Sequence, residues 1–353
     1  MFNLHDDLNA FFIEHIRLGK DRRHELAEFR DNSLSRLRSG LDKLGERRGE
    51  KYSYPAETRN QGGYAMHTLN KAADNNYDLD SALIFERSAL PSSARAARER
   101  IRDAFVETGN QFKTPPEARE NAVTIWYESG QHLDFAIYRR YTDALGREII
   151  EHASGDEWRP RDPDAVTTWF KNLETKVSPA GSAATVEEKQ FRKIVRFLKF
   201  FTKSRLDWRL PGGMIMSALA ELVYEPHSTR DDASLLLTLE KLHNRLQFTT
   251  IVPGPLGGTD LTAKPSHKQE VEALRDELAR IVPKMGQALR AANCTKDQAR
   301  NAWRMLFNHE FWNAANAVKQ EASMLKVASV APVAGSFSFP DTARAPNKPL
   351  PFG

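Results

Sequence analysis

The chain has 353 residues, 28% charged and 40% hydrophobic, with a formal net charge of +4. That length supports two ordinary domains or one two-lobed unit, and so mild a charge admits anionic ligands without arguing for nucleic acid. One cysteine, Cys294, excludes an intramolecular disulfide and a cysteine zinc cluster; no eighteen-residue apolar run offers a transmembrane helix, and the start "MFNLHDDLNAFFIEHIRLGK" lacks a signal peptide's ordered regions, so a cytoplasmic protein with no membrane partner is expected.

Residues 4–45 carry Leu8, Phe11, Phe12, Ile16, Leu26, Phe29, Leu34, Leu37 and Leu41 near helical spacing, which predicts helix. "RRGEKYSYPAETRNQGGYAMHT" follows as a loop entering a helical turn at its Gly-Gly pair. Strands are predicted at 76–86, 122–128 and 132–140, the last two joined by the turn "ESGQ", with a further strand at 147–152. After "NLETKVSPAGSAAT" the period becomes helical, over 186–206, 212–224, 231–246, 266–292, 296–306 and 308–327. Strands followed by helices predict an α+β chain: a strand-rich lobe with its N-terminal helix over 1–175 and a helical lobe over 176–328. Residues 329–353, rich in proline and small residues, read as a flexible tail.

The chemistry concentrates in "NNYDLDSALIF" and "HLDFAIYRR". Residues two apart in a strand share a face, so Asp78 and Asp80 point together, opposite Tyr77 and Leu79. Two parallel carboxylates in an apolar run resist ionisation without a cation between them, and a hard divalent ion, magnesium or manganese, suits them. Asp134, alone among Leu133, Phe135 and Ile137, joins the pair if the two strands are neighbours. Three aspartates could then hold two ions, the arrangement that clamps the attacking and leaving oxygens of phosphoryl transfer. Upstream, Gly62 and Gly63 allow backbone amides to approach an anion, with a helix N-terminus behind them.

The order "QGGYAMHT", "YDLDSALIF", "HLDFAIY" resembles the polymerase-β-like nucleotidyltransferases, and within them the bacterial cGAS/DncV-like enzymes (CD-NTases) of CBASS anti-phage defence. Those show a "QGSY…GT" loop, a "YDLD" strand and an "HVD" strand; "LPGGMIMSALAELVYEP" and "IVPGPLGGTDLT" extend the likeness, to roughly residues 50–265. Gly63 stands where their serine is usual, and His67 where glycine is common.

The resemblance implies a two-lobed fold with the active site in the cleft between a mixed-sheet lobe and a helical lobe. It implies a synthase joining nucleoside triphosphates, ATP or GTP or both, into a cyclic di- or trinucleotide messenger read by a downstream effector. Asp78, Asp80 and Asp134 would be the catalytic metal ligands for two Mg2+ or Mn2+ ions, and Gln61, Gly62 and Gly63 would grip phosphate. In "EEKQFRKIVRFLKFFTKSRLDW", Arg192, Arg196, Lys199 and Lys203 form one cationic stripe on an otherwise apolar helix, facing acidic side chains, solvent or a triphosphate. The resemblance makes Lys199 and Lys203 the candidates for donor phosphates. Protein- or RNA-directed nucleotidyl transfer and a catalytically dead interaction module are the alternatives, and one cysteine is too few for the cysteine-rich zinc insertion that senses DNA in animal relatives. The final Gly353 is a possible site of conjugation by an E1/E2-like ligase, with an idle terminus as the plain alternative.

Overall fold

Alternation of apolar and polar side chains sets the strands. The computed structural model describes residues 1–72, 74–109, 112–179 and 189–313, so the tail, Gly353 and most of the helix predicted over 308–327 lie outside the described residues. A mixed sheet forms in the order β1 (Glu57–Asn60), β2 (Asp78–Glu86), β5 (His132–Thr142), β4 (Val123–Tyr127), β3 (Phe112–Ala118). β6 (Glu148–Ser154) pairs with the far half of β5, and β7 (Glu157–Pro160) pairs with β6. β2 and β5 are parallel, while the other pairings are antiparallel. A parallel pair needs a crossover. Here it runs through α4 (Ala94–Val106) and the β3–β4 hairpin.

α4 and α2 (Lys20–Arg48) cover one face of the sheet, burying Leu37, Leu41, Ile101 and Phe105 against Leu83, Ile125, Phe135 and Ile137. They touch backbone to backbone: a Cβ on Gly40 would stand 1.9 Å from the Ala104 carbonyl oxygen. β1, β3 and α4 are absent from the sequence-based expectation, for local reasons. β1 reads "ETRN", and β3 contains Pro115 and Pro116, which an edge strand with register shifts tolerates.

The helix expected over 4–45 is divided. α1 (His5–Phe11) runs into a π-helical turn, Phe12–Ile16, and the chain is extended at Arg17 before α2 begins. Other segments satisfy the freed end: the Lys71 amide and the Arg196 guanidinium both donate to the Ile16 carbonyl, at 2.9 Å each. Leu4, Leu8, Phe11, Phe12 and Ile16 pack with the helical half, as does Phe170 of α5 (Ala165–Val177), although these elements begin before residue 176.

That half comprises α6 (Gln190–Thr202), α7 (Gly213–Val223), α8 (Asp231–Phe248), α9 (Pro265–Arg290), α10 (Lys296–Phe307) and a 3-10 turn, Glu310–Trp312. Its buried carboxylates have cations: Glu174 with Arg192 at 2.8 Å, Asp231 with Lys193 at 2.9 Å and Asp232 with Arg230 at 2.7 Å. None of the helices among the described residues is long and apolar enough to cross a membrane.

Candidate active site

Parallel pairing of β2 with β5 places Asp80 beside Asp134 and Asp78 beside His132. The three aspartates share the sheet face opposite α2 and α4, and one oxygen of each lies within 4.8 Å of the others. Asp78 is less enclosed than its place beside an apolar run suggests. It opens β2 at the mouth of a cleft, and its side chain is 52% exposed.

Asp80 bears the cost of proximity. Burial, then the charges of Asp78 and Asp134, push its pKa up to about 7. Asp134 is raised too, by burial first, while a hydrogen bond donated by Thr124 Oγ1 opposes the shift. Converging carboxylates that resist ionisation, each offering an oxygen to a common point, fit a hard divalent cation.

The glycine loop lies directly on this cluster. Gly62 has φ +57°, and a Cβ there would stand 1.7 Å from Asp80 Oδ2, so both conformation and space demand glycine. The Gln61 amide donates to the Asp80 carbonyl at 2.9 Å. Helix α3 (Gly62–Ala65) is a single turn, so the expected dipole contribution shrinks to its first amides, which lack intrahelical acceptors by position. Gln61 lines the cleft, but its side-chain amide donates to the Pro163 carbonyl at 2.6 Å, tying the loop to the 161–164 turn.

The two departures from the motif also take a physical form. A Cβ on Gly63 would meet Leu69 Cδ2 at 2.9 Å and stand 3.5 Å from Lys199 Nζ, so Leu69 fills the room a serine side chain would use. His67 holds φ 55°, a left-handed conformation that glycine adopts without strain.

The stripe on α6 separates into two pairs. Arg192 is buried against Glu174, and Arg196 is buried with hydrogen bonds to Asn70 and to the Ile16 carbonyl. Lys199 and exposed Lys203 line the cleft. Lys199 Nζ reaches across to donate to the Thr68 carbonyl at 2.8 Å. Its stem passes Gly213, where a Cβ would stand 2.9 Å from Lys199 Cε. Burial, followed by the like charges of Lys203 and Arg196, lowers its pKa to about 8.

The cleft measures 620 Å³ and also receives Gly212 and Gly213 at the start of α7, Trp126, His132, Arg161 and Asp162. Sequence reasoning missed these. The signal for His132 lay in the quoted "HLDF", but its value depends on a register that only the sheet reveals. The "GGTDLT" segment has a different place: Asp260 Oδ1 accepts from the Thr262 amide and hydroxyl at 2.8 and 2.6 Å, closing its own loop.

Residues 56–138 match the family model of the nucleotidyltransferase domain of "Cyclic GMP-AMP synthase DncV-like" proteins. The resemblance to DncV-like enzymes holds. The described residues have the DncV-like two-lobed fold. It is similar to Vibrio cholerae DncV cyclic AMP-GMP synthase in complex with the linear intermediate 5' pppA(3',5')pG (TM-score 0.66, 15% identity, covering 88% of this chain and 98% of that one). A DncV variant from the same organism with two aspartates, two positions apart, replaced by alanine gives TM-score 0.66 at 14% identity over 89% and 98%. Escherichia coli DncV bound to 3'-deoxy GTP gives 0.62 at 14% over 86% and 95%. At such identity the likeness is one of fold. No curated protein matches the chain by sequence.

Proposed function

We propose that this chain is a nucleotidyltransferase that joins purine nucleoside triphosphates into a cyclic oligonucleotide messenger, a dinucleotide in the first instance. The observation that carries the reading is the meeting of Asp78, Asp80 and Asp134 under the Gly62 loop, at a cleft whose far wall supplies Lys199 and Lys203. Support comes from the domain match and from relatives crystallised with GTP, with ATP and GTP, and with a linear dinucleotide.

In each of two rounds, a ribose hydroxyl attacks an α-phosphate, forms a P–O bond and expels pyrophosphate; the second round closes the ring. Asp78, Asp80 and Asp134 would hold the Mg2+ or Mn2+ ions, which supply Lewis-acid stabilisation of charge at the transferred phosphoryl group. The amides at Gly62 and Gly63 and the Lys199 and Lys203 ammonium groups, all lining the same cleft, would meet the departing pyrophosphate, a charge that grows in the transition state. Asp134, held by Thr124, would complete the site of the ion that lowers the pKa of the acceptor ribose hydroxyl. The reading places the enzyme in the bacterial cytoplasm, with anti-phage signalling as its setting. Conjugation at Gly353 by an E1/E2-like partner remains a separate proposal for a residue outside the described ones.

The test is incubation of the full chain with labelled triphosphates and Mg2+ or Mn2+, with mass analysis of phosphatase-resistant products. A small cyclic product is expected from the wild type and none from the Asp78→Ala, Asp80→Ala double variant. Labelled protein or RNA instead of a small product would favour the alternative acceptors, and equal product from the double variant would refute the site.

A further inference from the structure

The three carboxylates are not equally constrained. Asp80 is packed under Gly62, and Asp134 accepts a hydrogen bond from Thr124, its neighbour in the β4–β5 register. Asp78 sits at a strand end with half its side chain in solvent, where an aspartate samples several rotamers. Its contact is His132, whose Nε2 lies 3.2 Å from Asp78 Oδ1.

His132 is itself fixed. Its side chain is 14% exposed, and its ring stacks on Trp126 with centroids 4.1 Å apart and planes 23° apart. Trp126 faces His132 in the β4–β5 register, and His132 faces Asp78 in the β2–β5 register, so the three form one rung across three adjacent strands. His132 Nδ1 is buried without a hydrogen-bond partner among the described residues. The ring's orientation is therefore set by the stack on one side and Asp78 on the other.

We propose that His132, braced by Trp126, is a positioning residue that holds Asp78 in the orientation a divalent cation requires. The inference rests on the nucleotidyltransferase reading of the site. An Nε2–H donated to Oδ1 leaves Oδ2 to face the other two carboxylates. An outer partner of this kind orients a ligand before the ion arrives, so less freedom is lost on binding.

The experiment measures Mn2+ uptake by the full chain without nucleotide, from the paramagnetic resonance signal of free Mn2+, alongside thermal midpoints. His132→Phe keeps an aromatic ring on Trp126 and removes the donor. His132→Gln returns an N–H near the place of Nε2. Wild-type binding is expected, weakened about tenfold in His132→Phe, the lower end for loss of such a partner. His132→Gln should recover most of the loss, with both midpoints close to wild type. Unchanged Mn2+ affinity in His132→Phe, or equal impairment of His132→Gln, would overturn the proposal. No uptake by the wild type would be a different failure, bringing down the metal-site reading and this inference with it.

Discussion

The molecule sets carboxylates in two kinds of surroundings. In the helical lobe, Glu174, Asp231 and Asp232 each have a cation within 2.9 Å. In the strand lobe, Asp78, Asp80 and Asp134 converge on one another, and the nearest help is an imidazole and a hydroxyl. In the first arrangement the compensating charge comes from the fold itself. The second is an unfavourable concentration of charge that a bound ion would relieve, and on the proposed function this separates carboxylates that maintain the structure from carboxylates that serve chemistry.

The sharpest way to break that contrast is Asp80→Asn. Loss of a metal-ligating carboxylate should lower product formation by about 10³-fold or more, several kcal/mol of transition-state stabilisation. The same substitution should raise the metal-free thermal midpoint, because it removes the group under most repulsion. Lower activity with a lower midpoint would place Asp80 with the structural carboxylates.

The reciprocal experiment is Arg192→Met, which leaves buried Glu174 with only the more distant Lys189 ammonium, 3.7 Å away. A stability loss of about 3–5 kcal/mol is expected in denaturant titration, mostly recovered in the Arg192→Met, Glu174→Gln double variant. Lys199→Met should instead leave stability near wild type and lower kcat/KM for triphosphate by about 100-fold. The wild-type kcat/KM should itself fall as pH rises through about 8, where Lys199 loses its charge.

A smaller effect concerns pH and stability. The folded pKa of Asp80 is raised from 3.8 to about 7, so the native state binds more protons than the unfolded chain between those values. Metal-free stability should therefore fall as pH rises from about 4 to 7, and this slope should shrink in Asp80→Asn. Parallel stability curves for the two proteins would remove Asp80 as the cause.

Much of the site was legible because a carboxylate interrupting period-two alternation is conspicuous in a one-dimensional pattern. Asp78, Asp80 and Asp134 needed only the guess that their strands are neighbours. The α6 stripe was legible as a stripe, but its division was not: Arg192 meets Glu174 through tertiary packing, and Arg196 meets a carbonyl exposed by a helix break that apolar spacing conceals. The break at Arg17 escaped because helical spacing continues on both sides of it. β3 was hidden by its prolines, and His132 by register, which no local pattern encodes.

The parallel register of β2 and β5 also bears on how the chain acquires its site. Asp80 and Asp134 become neighbours only when β5 docks beside β2, across the intervening helix and hairpin. Contacts this distant in sequence form late, since loop closure must precede them. A nascent chain that has emerged only as far as β2 can pair it with β1 and presents two of the three aspartates, but not β5, which carries the third. Ion affinity should thus appear abruptly when β5 docks, which makes it a reporter of completed folding of the strand lobe.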